Sequence, residues 1–215
     1  MNNTLEKEKK PRNFNEAASS WDEEPRRVRL AFDVAEAVKR EVVVRSAMDV
    51  LDYGCGTGLV TLFLQPLVRS ITGADTSDGM LEILRGKVAG HGLTNVKTVL
   101  LDPDRESFPA ESSDLLLSSM TMHHVDDPGM LLKDFYRMLR PGGVLAVADL
   151  DAEDGSFHGH SLSAAHSGFD RDRMRAMLEG AGFRETRAVT AATVEKPDAR
   201  GVVRTYTVFL MTAKK

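Results

Sequence analysis

A single cysteine, Cys55, stands among 215 residues. One thiol makes no internal disulfide, which suits a reducing compartment, so the expected location is the cytoplasm. No excess of basic residues is present: the formal net charge is −4, with both signs mixed along the chain. Phosphate backbones need a concentrated basic face, so nucleic acid is not the expected partner. No apolar run is long enough to span a membrane. The segment from Met1 to Lys10 is polar and charged, unlike a secretory leader, and there is no internal repeat. The length suits one α/β domain with a full core.

The informative stretch is Val50-Leu51-Asp52-Tyr53-Gly54-Cys55-Gly56-Thr57-Gly58. It reads as a buried strand running into a glycine-rich turn, and Leu59 to Leu64 then opens a helix. Glycines at alternate positions let the backbone turn sharply and approach a ligand with no Cβ in the way. The helix start presents free N–H groups and a partial positive charge. Such a unit binds something nucleotide-like at the carboxyl end of a parallel sheet. A dinucleotide fingerprint wants G-x-G-x-x-G, but its third glycine position here is Leu59. A phosphate loop wants a lysine after its last glycine, and none follows.

The pattern D-x-G-C-G-T-G resembles the first motif of class I S-adenosylmethionine (SAM)-dependent methyltransferases, where the turn packs on the amino-acid part of SAM. Further landmarks agree: Leu139-Arg140-Pro141-Gly142-Gly143, Phe108-Pro109 before Asp114, and Ala181-Gly182-Phe183. The resemblance covers roughly residues 14 to 213. It implies a three-layer α/β/α sandwich with a seven-stranded, mostly parallel sheet of order 3-2-1-4-5-7-6 and an antiparallel C-terminal hairpin. It also implies cofactor contacts from Gly54, Cys55, Gly56 and Gly58. Asp75, ending the second strand, would accept from the ribose hydroxyls, with Thr76 beside it. Met80 would pack on ribose or adenine, or serve as core filler. Asp102, with Pro103, would accept from the adenine amine, with Asp104 the neighbour it could be confused with. Ser119 and Met120 complete the cofactor set. S-adenosylhomocysteine (SAH) would be the product.

Taken in order, residues 1–12 read as a disordered tail. Residues 13–215 read as one domain, with a cap and helix over 13–45 and the SAM-binding core over 46–215. The cap carries Phe14 and Trp21, which either line the substrate pocket or only anchor the segment. A helix is expected from Arg26 to Val44, with Val28, Ala31, Ala35 and Val38 at helical spacing. Strands are expected at Met48–Tyr53, Ser70–Ala74, Val96–Leu101, Asp114–Ser119, Val144–Leu150, Arg184–Thr193 and Val202–Ala213. The fourth is apolar nearly throughout, as a central strand covered on both faces should be. Asp127 with Pro128, and Asp170, should cap helices.

After the fourth strand comes Met120-Thr121-Met122-His123-His124. The resemblance places this loop before the methyl group, and histidine can take a proton near neutral pH. His123 and His124 are therefore the candidate catalytic residues, either as base or as supports of the loop. The Asn-Pro-Pro-aromatic motif of many amino-group methyltransferases of DNA and protein is absent. The stretch from Asp149 to Phe169 gathers four carboxylates and three histidines. His158, His166 and Phe169 are expected to line or close the substrate pocket. His158 and His160, with His166 or a carboxylate, could ligate a metal, but the spacing fits no metal motif and none is assigned. The stretch is similar to that of small bacterial methyltransferases grouped with those of quinone biosynthesis. The implied function is methyl transfer from SAM to a small-molecule acceptor by a monomer or homodimer. The alternative is a regulatory protein that binds SAM or SAH without transfer.

Overall fold

Apolar residues alternate between two faces along the central strands, and helices cover both faces. The computed structural model describes residues 13–102, 108–158, 164–198 and 201–215. The expected tail, Pro103, Asp104 and His160 lie outside the described residues. In chain order the elements begin with α1 (Phe14–Ala17), a 3₁₀ turn (Ala18–Glu23), α2 (Pro25–Glu41), β1 (Asp49–Tyr53) and α3 (Leu59–Leu64). β2 (Ser70–Asp75), α4 (Asp78–Gly90), β3 (Val96–Leu100) and β4 (Ser113–Ser119) follow. A 3₁₀ turn (Met122–His124), α5 (Pro128–Met138), β5 (Leu139–Leu150), α6 (Arg171–Gly180), β6 (Arg184–Pro197) and β7 (Val203–Lys214) complete them.

The sheet has seven strands in the order β3-β2-β1-β4-β5-β7-β6, as expected. β1 runs parallel to both β2 and β4, with Val50 beside Ile71 and Leu51 beside Leu116. β7 is antiparallel to β5 and to β6. Chain order reverses between β1 and β4, so the crevice at their carboxyl ends is where a ligand fits. On one face Val50, Leu115 and Leu117 pack with Val34 and Val38 of α2 and Leu64 of α3. On the other, Leu51 and Leu116 pack with Leu132 and Phe135 of α5 and Leu178 of α6.

Three boundaries differ from expectation. α2 starts at Pro25, where proline's missing N–H costs nothing, behind Glu24 as cap. It stops at Glu41 because three valines follow, and β-branched residues resist the helix. Its buried stripe is Val34, Ala35, Ala37 and Val38, while Val28 is exposed. β5 begins at Leu139, not Val144, through a bulge opposite Ser113, with Gly142 at φ +76°. β6 continues to Pro197 after a register shift at Thr190/Ala192. The expected caps Asp127 and Asp170 are in place, and Ser77 caps α4 in the same way. Ser77, Asp127 and Asp170 accept from backbone N–H groups of Met80, Met130 and both Asp172 and Arg173.

Candidate active site

The three glycines after β1 are all left-handed, with φ of +75°, +54° and +79° at 54, 56 and 58. Their surroundings divide their roles. A Cβ on Gly54 would lie 2.2 Å from Thr121 Oγ1, and one on Gly58 would lie 2.3 Å from Leu84 Cδ1. Those two positions serve close packing. A Cβ on Gly56 would meet no protein atom within 4 Å, so the space before it is open.

Two carboxylates brace this turn. Asp75 accepts from the backbone N–H of Gly56 through Oδ2 at 2.8 Å and of Ser77 through Oδ1 at 2.9 Å. Burial pushes its carboxyl above the ordinary value, against those backbone bonds. Asp52 is buried and accepts from Thr61 Oγ1 at 2.5 Å. Desolvation pushes it up to about 7, with the Asp75 charge adding to the effect. Burial, then the charges of Asp52 and Asp75, push the Cys55 thiol well up, so it stays protonated.

At the end of β4, Met120 takes a left-handed φ of +55°, and its N–H reaches the Ala148 carbonyl. The chain then folds into the short turn carrying both histidines. His123 is buried, and its Nδ1 lies 2.6 Å from Oδ1 of the fully buried Asp149. Asp149 also accepts from the backbone N–H groups of His123 and Leu150. By accepting the Nδ1 hydrogen, Asp149 orients the ring and leaves Nε2 as the nitrogen on its other side. That Nε2 is buried and has no hydrogen-bond partner among the described residues. The His124 ring lies 4.1 Å and the His158 ring 4.8 Å from the His123 ring, centroid to centroid.

The N-terminal segment closes over both regions. Asp22 accepts from Thr57 Oγ1 at 2.6 Å and pairs with Lys87, which also donates to the Thr57 carbonyl. Asn15 Oδ1 accepts from Ser77 Oγ and the Gly79 N–H, over the start of α4. Phe14 stands 5.9 Å from Trp21 and edge-on to His124 at 5.3 Å.

These parts enclose one cavity of about 600 Å³. Gly54, Cys55, Gly56, Asp75, Thr76, Met80, Ser119 and Met120 line it, as do Phe14, Trp21, His123, His124 and His158. Gly58 sits behind the wall, against Leu84. Asp102 is exposed and outside the lining.

Two pocket expectations are corrected. Phe169 is buried in the core with Met174 and Leu178, and its backbone pairs with Leu150 and Ala152. His166 turns away: its Nε2 donates to the Val125 carbonyl at 3.0 Å. The backbone N–H of His166 instead holds the His123 carbonyl, so the residue supports the loop from behind. The metal grouping also differs. His158 meets His123 and His124, and their ligating nitrogens all lie within 4.8 Å of one another.

Sequence reasoning missed Asp52, Tyr53, Thr121, Phe157, Val194 and Lys196 on the wall. Asp52 and Tyr53 adjoin the glycine turn and could have been read from it. Phe157 is set by its ring contact with Tyr206 on β7, which no local pattern announces.

Comparisons agree with this geometry. The family model described as "Methyltransferase domain" matches residues 51–147. The ubiquinone/menaquinone biosynthesis C-methyltransferase UbiE of Marinomonas sp. is 36% identical over 110 residues, which is 49% of this chain and 44% of that protein. The chain spans about half the length of several curated relatives it matches. A SAM-dependent methyltransferase of Aquifex aeolicus superposes with a TM-score of 0.66 at 22% identity, over 92% of this chain and 97% of that one. Phosphoethanolamine N-methyltransferase 2 of Haemonchus contortus, solved with SAM, gives 0.71 at 15% identity, over 95% of this chain and 60% of that one. No helix among the described residues is long and apolar enough to cross a membrane. The sequence match along β1 to β5 and the shared fold across the whole sheet together support a class I SAM-dependent methyltransferase.

Proposed function

We propose that this chain transfers the methyl group of SAM to a small-molecule acceptor. The observation that carries the reading is one cavity with two chemically distinct ends. The glycine turn and Asp75 form one, and His123, oriented by Asp149, forms the other.

The residues at the first end fit SAM. Gly56 leaves open the space a Cβ would fill. Asp75 uses two of its roughly four acceptor sites on backbone N–H groups, which leaves two for a pair of ribose hydroxyls. Met80 presents an apolar wall beside them. Bound SAM supplies a methyl group already activated by its sulfonium.

The chain's own contribution is then orientation and exclusion of water. Trp21, Met120 and Phe157 give the acceptor end apolar walls, and polar groups converge there from three histidines. That combination suits a compact acceptor with one protic heteroatom, such as a phenol, quinol or thiol. Acid–base help is needed only if the acceptor must first lose a proton.

Calorimetric titration with SAM and SAH tests the first end. One equivalent of either should bind, and no binding of either would sink the reading. An acceptor screen on phenols, quinols and thiols tests the second. Binding without transfer to any acceptor would favour a SAM- or SAH-binding regulatory role. His123→Ala and His124→Ala probe proton transfer: if both keep full turnover across neutral pH, neither takes a proton.

A further inference from the structure

We propose that His123, His124 and His158 form a binding site for a zinc-type divalent transition-metal ion, open on its fourth side to the cavity. The three imidazoles come from two separate loops, yet their ligating nitrogens all lie within 4.8 Å of one another. Their ring centroids are 4.1, 4.8 and 5.5 Å apart. Nitrogens bound at ~2.0–2.1 Å to a tetrahedral zinc stand roughly 3.3 Å apart, so closing the site takes a contraction of about 1.5 Å at most. His124 and His158 are half-buried, whereas His123 is fully buried.

Two independent observations favour an ion over a plain cluster of rings. The Nε2 of His123 is buried and without a hydrogen-bond partner among the described residues. An unpaired buried nitrogen costs free energy and calls for an explanation. Behind it, Asp149 accepts from Nδ1 at 2.6 Å. A carboxylate on the far nitrogen of a ligating histidine orients the ring and raises its basicity. Asp149 also places a carboxylate directly behind the three rings. Three neutral imidazoles with one open position suit zinc, as in catalytic three-histidine sites.

The ion has a chemical use, which rests on the methyl-transfer reading. A hydroxyl or thiol acceptor entering the open position binds through its heteroatom. The heteroatom–hydrogen bond breaks, the proton leaves to water, and the electron pair stays on the heteroatom as a metal-bound anion. The metal lowers the acceptor's pKa. His123 then holds the ion and accepts no proton itself.

The test uses the full chain without an affinity tag, stripped with EDTA and resupplied with Co(II) or Zn(II). We expect one metal per chain after desalting and the intense visible bands of tetrahedral Co(II). His124→Gln and His158→Gln, at half-buried positions, should each weaken binding at least ~10-fold, and Asp149→Asn ~10–100-fold. Thermal midpoints identify any variant that loses its fold. A preparation that binds SAM but no metal, or metal affinity unchanged in both His→Gln variants, would overturn the site. Adding 2-mercaptoethanol or phenol should shift the Co(II) bands, and spectra unmoved by both would overturn the acceptor's place on the ion. Protein that binds metal but not SAM would uphold the site and refute the methyl-transfer reading separately.

Discussion

Replacing Gly56 with alanine separates ligand approach from folding more cleanly than any other change in the turn. At φ +54° an L-residue costs ~1–2 kcal/mol, and a stiffer unfolded chain returns ~0.4–1. No protein atom lies within 4 Å of the new methyl, so packing adds nothing. The expected loss of stability is about 1 kcal/mol. The methyl would, however, occupy the open space before the turn. Affinity for SAM should fall at least ~100-fold, which corresponds to about 2.7 kcal/mol. Gly58→Ala is the control. Its Cβ would stand 2.3 Å from Cδ1 of the fully buried Leu84, so overpacking adds ~1–3 kcal/mol to the same strain. Urea unfolding measures one quantity and calorimetric titration with SAM the other. Wild-type affinity in Gly56→Ala would refute the argument, and so would a stability loss equal to that of Gly58→Ala.

Asp75→Ala should abolish measurable SAM binding and also cost about 1–2 kcal/mol of stability, because the N–H groups of Gly56 and Ser77 lose their acceptor; calorimetry showing unchanged affinity would refute the ribose role. The ligand-free protein should become less stable as pH rises from about 4 to about 7. Asp52, pushed up to about 7, keeps in the folded state a proton that the unfolded chain has released, so the unfolded state binds fewer protons across that window. The Asp52 part of the drop is at most about 4 kcal/mol and should be lost in Asp52→Asn, leaving only the part that Asp75 contributes, as read from urea midpoints at pH 5 and 8. Asp22→Ala frees Thr57 and Lys87 from the cap. Global stability should fall by only about 1 kcal/mol, but limited proteolysis should cut the chain ahead of α2 faster, and an unchanged cleavage rate would argue against the clamp. His123→Ala leaves the buried Asp149 charge without its imidazole partner and should cost about 3 kcal/mol, as read from denaturant unfolding.

The sheet was legible because central parallel strands carry long apolar runs, as Leu115, Leu116 and Leu117 do, and because proline, glycine and capping residues punctuate them. The glycine turn was legible for the same kind of reason: its chemistry is local. The acceptor end was only half legible. His123 and His124 could be placed at the end of β4, but the partner of His123 is Asp149, which reads as one more member of an acidic loop. The strand pairing of β4 with β5 brings it there, not any spacing in the sequence. His158 and His166 were treated alike, yet they separate. His158 turns into the cavity beside Phe157, whereas His166 is captured by the Val125 carbonyl. Phe169 was misplaced because its backbone bridges to Asp151, which carries the ring into the core. The cap was read from its aromatics, Phe14 and Trp21, but its polar clamps were not. Asn15 and Asp22 act on residues more than thirty positions away, and such contacts leave no periodic trace.

Met120 bears one more consequence. Its left-handed backbone would suit glycine by ~1–2 kcal/mol. A glycine there would loosen the unfolded chain and forfeit the partly buried side chain, losses that together come to a similar ~1–2 kcal/mol. Folding is therefore nearly indifferent to which of the two residues stands at the tip of β4. What is not indifferent is the room next door, since a glycine would leave the histidines facing a wider and wetter space. Residue 120 is thus a dial on the size of the reaction chamber that can be turned with little penalty to the scaffold.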